Sequence, residues 1–146
     1  MLIDECLIEA FDWRPWQEFR DRDMYTLEVN DVLAVNLELI KKLMKKYHEP
    51  AKKSFKLNDC WRLFTKDTPT GLTDKDFYYC YGMSKMTNVR ESITHSQYYT
   101  LQLVEFLEVI CRAADARYSE SYGIPLQEKI ELILDDLFKL IGASRV

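Results

Sequence analysis

The side chains with the widest chemical reach in this sequence are two histidines, His48 and His95, and four cysteines, Cys6, Cys60, Cys80 and Cys111. Structural zinc asks for four such ligands arranged in close pairs, and no two of these cysteines are spaced as C-x-x-C. Zinc is therefore not expected. A nucleophilic site needs a thiol or hydroxyl beside a histidine that an acid orients. His48 precedes Glu49 and Pro50 at the expected end of a helix, and His95 lies in a polar stretch. Neither belongs to a nucleophile elbow, a phosphate loop or an H-E-x-x-H helix. Gly71 and Gly82 are isolated and cradle no phosphate by themselves. The expectation is a protein that is not an enzyme and carries no cofactor.

Binding chemistry is better represented. Nine Lys and Arg fall between Lys41 and Lys66 against Glu49 and Asp59, a local charge of +7. The first 23 residues hold seven acids against three arginines, and the whole chain carries −4. Lys41, Lys42, Lys45 and Lys46 could steer an acidic partner, such as an acidic protein surface, an anionic membrane or RNA. The acidic overall balance argues against nucleic acid, and a solvated helix face is the plainer reading of the block. Phe11, Trp13, Trp16 and Phe19 form the densest aromatic cluster. Tryptophan is enriched where proteins bind each other, which makes Trp13, Trp16 and Phe19 candidate docking residues. The alternative is that these rings fold back onto the domain's own core.

The elements that must position these groups read as helices in succession. A chain of 146 residues, 47% of them hydrophobic, suits one compact, mainly α domain over 1–146. Residues 1–29 form an aromatic-rich N-terminal arm with a short helix over 4–11, and Pro15 can open a helix. A long helix is expected from Asn30, a good N-cap, to Pro50. Its stripe is Leu33, Leu37, Ile40, Met44 and Tyr47, widened by Val32, Val35, Leu39 and Leu43. A short helix over 58–64 precedes the loop 65–71, and Thr73 with Asp76 opens another helix. Thr100 is expected to cap a helix over 101–118, with Leu103, Phe106, Leu107, Ile110 and Ala114 inward and a Glu108–Arg112 pair outward. The last helix runs over 125–142 on Ile130, Ile133, Leu134, Leu137 and Ile141.

Two helix–loop–helix stretches in the middle carry a resemblance. Leu72 stands before Asp76-Phe77, and Leu101 before Glu105-Phe106. Each reads as an aliphatic residue, three more, then an acid followed by Phe. Over 58–118 the sequence resembles a degenerate EF-hand pair of the calmodulin superfamily. The resemblance implies that Leu72 and Leu101 pair across a small two-stranded ribbon. A calcium loop needs oxygen ligands at positions 1, 3, 5 and 12 and glycine at 6. The first loop offers Thr65, Asp67, Pro69 and Asp76, with Thr70 at position 6. The second offers Thr94, Ser96, Tyr98 and Glu105, with Tyr99 at position 6. Asp67, Asp76 and Glu105 are the metal candidates if calcium binds, but the charge is too small for tight binding. The resemblance then implies a peptide-binding or scaffold module rather than a sensor.

The tract 80–87, with 104–108, is also similar to segments of large ciliary and flagellar proteins from protists, which implies a cytoskeletal or axonemal setting. Acids follow Met1-Leu2-Ile3 where a signal peptide carries bases, and no apolar run approaches the roughly 20 residues of a membrane span. The expected location is the cytoplasm, with cysteines packed as reduced, small hydrophobes. The reading is a non-catalytic protein-binding or structural subunit whose partner is another protein. Its rivals are a calcium-responsive calmodulin-like regulator and a binder of an anionic surface, RNA or membrane, through the basic block.

Overall fold

In a computed structural model the protein is described over residues 15–48, 54–85 and 99–146. The expected helix over 4–11, Trp13, the Trp16 side chain, Cys6 and His95 lie outside the described residues. The described chain is mainly helical, as its periodicity predicts. Pro15 opens α1 (Pro15–Phe19), which widens into a π turn over Arg20–Met24. Thr26 then caps α2 (Leu27–Val35): its hydroxyl accepts from the Val29 N–H at 3.3 Å. After α3 (Leu37–Lys45) come β1 (Phe55–Lys56) and α4 (Leu57–Arg62), whose end loosens into a π turn over Leu63–Asp67. There follow α5 (Asp74–Lys85), β2 (Thr100–Leu101), α6 (Leu103–Arg117) and α7 (Leu126–Leu137). A 3-10 turn over Phe138–Ile141 ends at Gly142, whose φ of 62° is left-handed.

The centre of the molecule is α6, which packs on α5 and on α7, while α7 also packs on α2. Phe106, Val109, Ile110, Cys111, Ala113 and Ala114 of α6 are buried, so the apolar face is wider than a single stripe. They meet Phe77 and Tyr81 of α5 and Ile130, Ile133, Leu134 and Leu137 of α7 in one core. Each such fully buried large side chain contributes roughly 1.5–3 kcal/mol. Phe138 joins the core, and Ile141, expected in the stripe, sits at its edge. No helix among the described residues is long and apolar enough to cross a membrane.

Three local expectations are corrected. The helix expected from Asn30 starts at Leu27 and breaks at Asn36, splitting into α2 and α3. The Asn36 amide donates to the Val32 carbonyl at 2.9 Å and accepts the Val146 N–H at 2.8 Å. A buried amide satisfied in this way competes with the helix ladder. Val35, placed in the stripe, is the last residue before the break and faces solvent. Thr100 lies in β2 and does not cap α6; the N-cap is Gln102.

Candidate functional site

The ribbon is antiparallel, with Phe55 opposite Leu101 and Lys56 opposite Thr100. Phe55 and Leu101 point inward, and the Phe55 ring lies 5.7 Å from that of Tyr47 and 5.0 Å from that of Phe106. Two residue pairs are too few to persist alone. Each strand is held because it runs straight into a capped helix. The Lys56 N–H donates to the Asp59 carboxylate at 3.1 Å, and the Gln102 N–H donates to Glu105 at 2.9 Å. These acids satisfy backbone donors that a helix start leaves unpaired.

Beside β2 a cation is built into the fold. Nζ of Lys85, at the end of α5, lies 2.6 Å from Oε2 of Glu105 and donates to the Thr100 carbonyl at 2.8 Å. The Lys85 side chain is 8% exposed and that of Glu105 16%.

The ribbon corrects the expected partner of Leu101, which is Phe55 and not Leu72. Leu72 is buried in the connector between α4 and α5, where no strand forms. The connector spends its oxygens on itself. The hydroxyls of Thr65, Thr68 and Thr70 donate to the carbonyls of Trp61, Leu63 and Phe64, each at 2.6 Å. Asp67 accepts from the Tyr47 hydroxyl at 2.7 Å and lies 3.9 Å from Arg62. Burial and this acid push the Tyr47 phenol well above its ordinary range. Thr73 accepts from the Asp76 N–H at 3.2 Å and so starts α5 as expected. Asp67, Asp76 and Glu105 are not brought together, and no group of three His, Cys, Asp or Glu among the described residues could hold a metal ion.

A second constellation ties the N-terminal helix to α6. Arg20 grips Glu108 with Nε to Oε1 at 2.8 Å and Nη2 to Oε2 at 3.0 Å, and Arg112 Nε reaches Oε2 at 3.0 Å. All three side chains are buried. The Glu108–Arg112 pair therefore forms at the expected spacing but faces inward, because α1 covers that side of α6. Phe19 is buried too, with the Arg112 guanidinium 4.6 Å from its ring centre. It serves the core rather than an exposed docking surface.

Next to this triad opens a cleft of about 510 Å³, lined among others by Arg22, Asp76, Tyr79, Cys80, Arg112 and Asp115. Burial pushes the Cys80 thiol up to about 12. Burial also raises the Asp115 carboxyl, with Lys129 opposing from 3.8 Å. Cys60 and Cys111 are buried, their thiols likewise pushed up by burial. A thiol held protonated in this way is a poor nucleophile near neutrality.

Four residues of the basic block, Lys41, Lys42, Lys45 and Lys46, lie on α3 and at its C-terminal end. Lys42, Lys45 and Lys46 are exposed; Lys41 lies 3.5 Å from Glu38, and Lys46 donates to the Leu140 carbonyl at 3.4 Å. Lys42 and Lys45 make no ion pair among the described residues. His48 stands just past α3, half-buried. Sequence reasoning missed Phe55, Lys85 and Arg20. The first could have been found by asking which other residue precedes an acid by four, since Phe55 precedes Asp59-Cys60 just as Leu101 precedes Glu105-Phe106. Comparison with family models, curated proteins and solved structures returns no match.

Proposed function

We propose that this chain is a non-catalytic protein-binding or structural module, built on a degenerate EF-hand-like pair. One observation carries the binding part. Helix α2 buries Val29 and Leu33, yet leaves Leu27 and Val35 exposed at 71% and 55%. Leu27, Ala34 and Val35 lie on one side of that helix, all exposed around the exposed Asp31, with exposed Tyr25 just before it. Apolar side chains grouped on one outward face fit contact with another protein.

The scaffold part is supported by a repeated order of elements. Among the elements with described bounds, helix, strand and capped helix occur as α3–β1–α4 and again as α5–β2–α6, joined by the ribbon. In this reading the first loop is 48–59 rather than 65–76. With Phe55 at position 8, His48, Pro50 and Lys52 take positions 1, 3 and 5, and Asp59 takes 12. A calcium loop wants carboxylates there, and a lysine repels the ion. Counting back from Leu101 keeps Thr94, Ser96, Tyr98 and Glu105 in the second loop. A module of this kind binds its partner without a calcium signal. A cytoskeletal setting rests on the sequence likeness of 80–87 and 104–108 alone.

The test compares wild type with Leu27→Glu/Val35→Glu in affinity capture from native extract, after circular dichroism shows equal helicity. A protein captured saturably by wild type and lost with the double variant supports the reading. Equal capture by both, or no saturable capture, removes it.

A further inference from the structure

We infer that the ribbon site has its own resident cation, the Lys85 ammonium, which stands where a dissociable metal ion would otherwise join α5 to β2 and α6. The inference deepens the EF-hand-like reading but stands on geometry of its own. Two hard oxygens converge on Nζ: the Glu105 carboxylate at 2.6 Å and the Thr100 carbonyl at 2.8 Å. A carboxylate and a backbone carbonyl aimed at one point are what a hard cation recruits. The two Glu105 oxygens divide the work. Oε1 accepts the Gln102 N–H at 2.9 Å and caps α6, while Oε2 faces the ammonium.

A lysine ammonium is a compact, strongly hydrated charge, and it leaves water only for good partners. The Lys85 side chain is nevertheless nine-tenths buried. Its charge therefore belongs to the site and not to the solvent. A metal ion at this point would come and go with its concentration. An ammonium on the last turn of α5 is tethered, so its effective concentration is always high. The device sits on one strand only: Asp59, the matching acid after β1, makes no ion pair among the described residues. The consequence is a helix pair held permanently in one arrangement, a fixed scaffold rather than a switch.

Thermal melting of the full chain decides the matter, in chelator and in millimolar calcium. Wild type is expected to melt at the same temperature in both. Lys85→Met leaves the largely buried Glu105 carboxylate without its cation, and is expected to lose about 10 °C in chelator. Calcium is expected to restore at least half of that loss, and to restore nothing in Lys85→Met/Glu105→Gln. Refolding of an unfolded Lys85→Met chain by calcium counts as the same rescue. If Lys85→Met folds in neither buffer, Lys85→Gln, which keeps a donor at the site, gives the same readout. An unchanged melting temperature for Lys85→Met overturns the inference. So does a loss that calcium does not touch, because Lys85 is then an ordinary buried ion pair. Partner capture by wild type is untouched by either result, so this failure is separable from failure of the binding reading.

Discussion

Glu105 and Glu108 stand three residues apart on α6, both nearly buried, and they tie α6 to different neighbours. Glu105 meets one lysine from α5, and that lysine also donates to a carbonyl of the strand leading into α6. The charge of Glu105 is thus balanced by a lysine only 20 positions earlier in the sequence. Glu108 meets two arginines, and Arg20 lies 88 residues away. One acid is shared by two guanidiniums, and the Arg112 guanidinium also lies over the Phe19 ring. The contrast separates two jobs of a buried charge. One closes a motif that local sequence already brings together. The other recruits a distant segment, and the fold bears a larger desolvation cost for it.

The sharpest way to break this comparison is Glu108→Ala. Both arginines then stay buried and lose the acid they share. The expected loss is about 3–5 kcal/mol, read as a denaturant midpoint shift with unchanged slope. It should be the most damaging of the substitutions considered. A loss of only a few tenths of a kcal/mol would mean that water reaches the guanidiniums and that the triad is not an interior charge at all.

Arg20→Met sharpens the same point. It removes the two-pronged grip on Glu108 but leaves the acid its bond from Arg112. The expected cost is about 2–3 kcal/mol, less than for Glu108→Ala. The effect should also be local. Limited proteolysis should cut within residues 15–26 faster than in wild type, while cutting around α6 and α7 is unchanged. Uniform acceleration along the chain would show that Arg20 supports the whole core instead of holding the N-terminal helix.

Much of the helical frame could be read from residue spacing. Ile130, Ile133, Leu134 and Leu137 recur at helical intervals and are all buried. Thr73 starts α5 and Glu105 caps α6 by local rules that depend on a few neighbouring residues. What escaped the sequence was everything set by distance. The Glu108–Arg112 spacing predicts an ion pair but not its side, since that depends on where α1 lands. Leu72 and Phe55 are equally good aliphatic or aromatic candidates to face Leu101, and only packing around Phe106 and Tyr47 selects Phe55. Lys85 carries no local signal that sets it apart from the other lysines; its burial follows from the approach of β2.

Gly71→Ala probes a third tether of α6, one made through a neutral group. Arg117 Nε donates to the Thr70 carbonyl at 2.7 Å, and Gly71 beside it has a φ of 73°. An added Cβ would lie 3.0 Å from that nitrogen. The left-handed backbone alone costs an alanine about 1–2 kcal/mol, and Arg117 must also shift. The expected loss is of that size, below that of Arg20→Met. If Arg117→Gln in the Gly71→Ala background costs nothing further, the crowding has already broken the Arg117–Thr70 contact. A further loss equal to that of Arg117→Gln alone would show that the side chain simply moved aside.

The smallest effect comes from an acid of α6 that lacks a close partner. Asp115 sees Lys129 only at 3.8 Å, and burial raises its carboxyl above the ordinary range. The folded state therefore holds this proton more tightly than the unfolded chain does. Above both titrations the charged carboxylate works against folding, and that penalty disappears as pH falls through the folded value. Asp115→Asn should thus stabilise the protein near neutral pH, by no more than about 0.5 kcal/mol because the side chain is half in water. The advantage should shrink as pH falls through the acid range where carboxyls titrate. Denaturant midpoints of wild type and variant, taken at neutral and at acid pH, measure this directly. A variant less stable than wild type at neutral pH would mean that the pull of Lys129 outweighs burial, and would set Asp115 beside Glu105 and Glu108 as a third structural charge on the same helix.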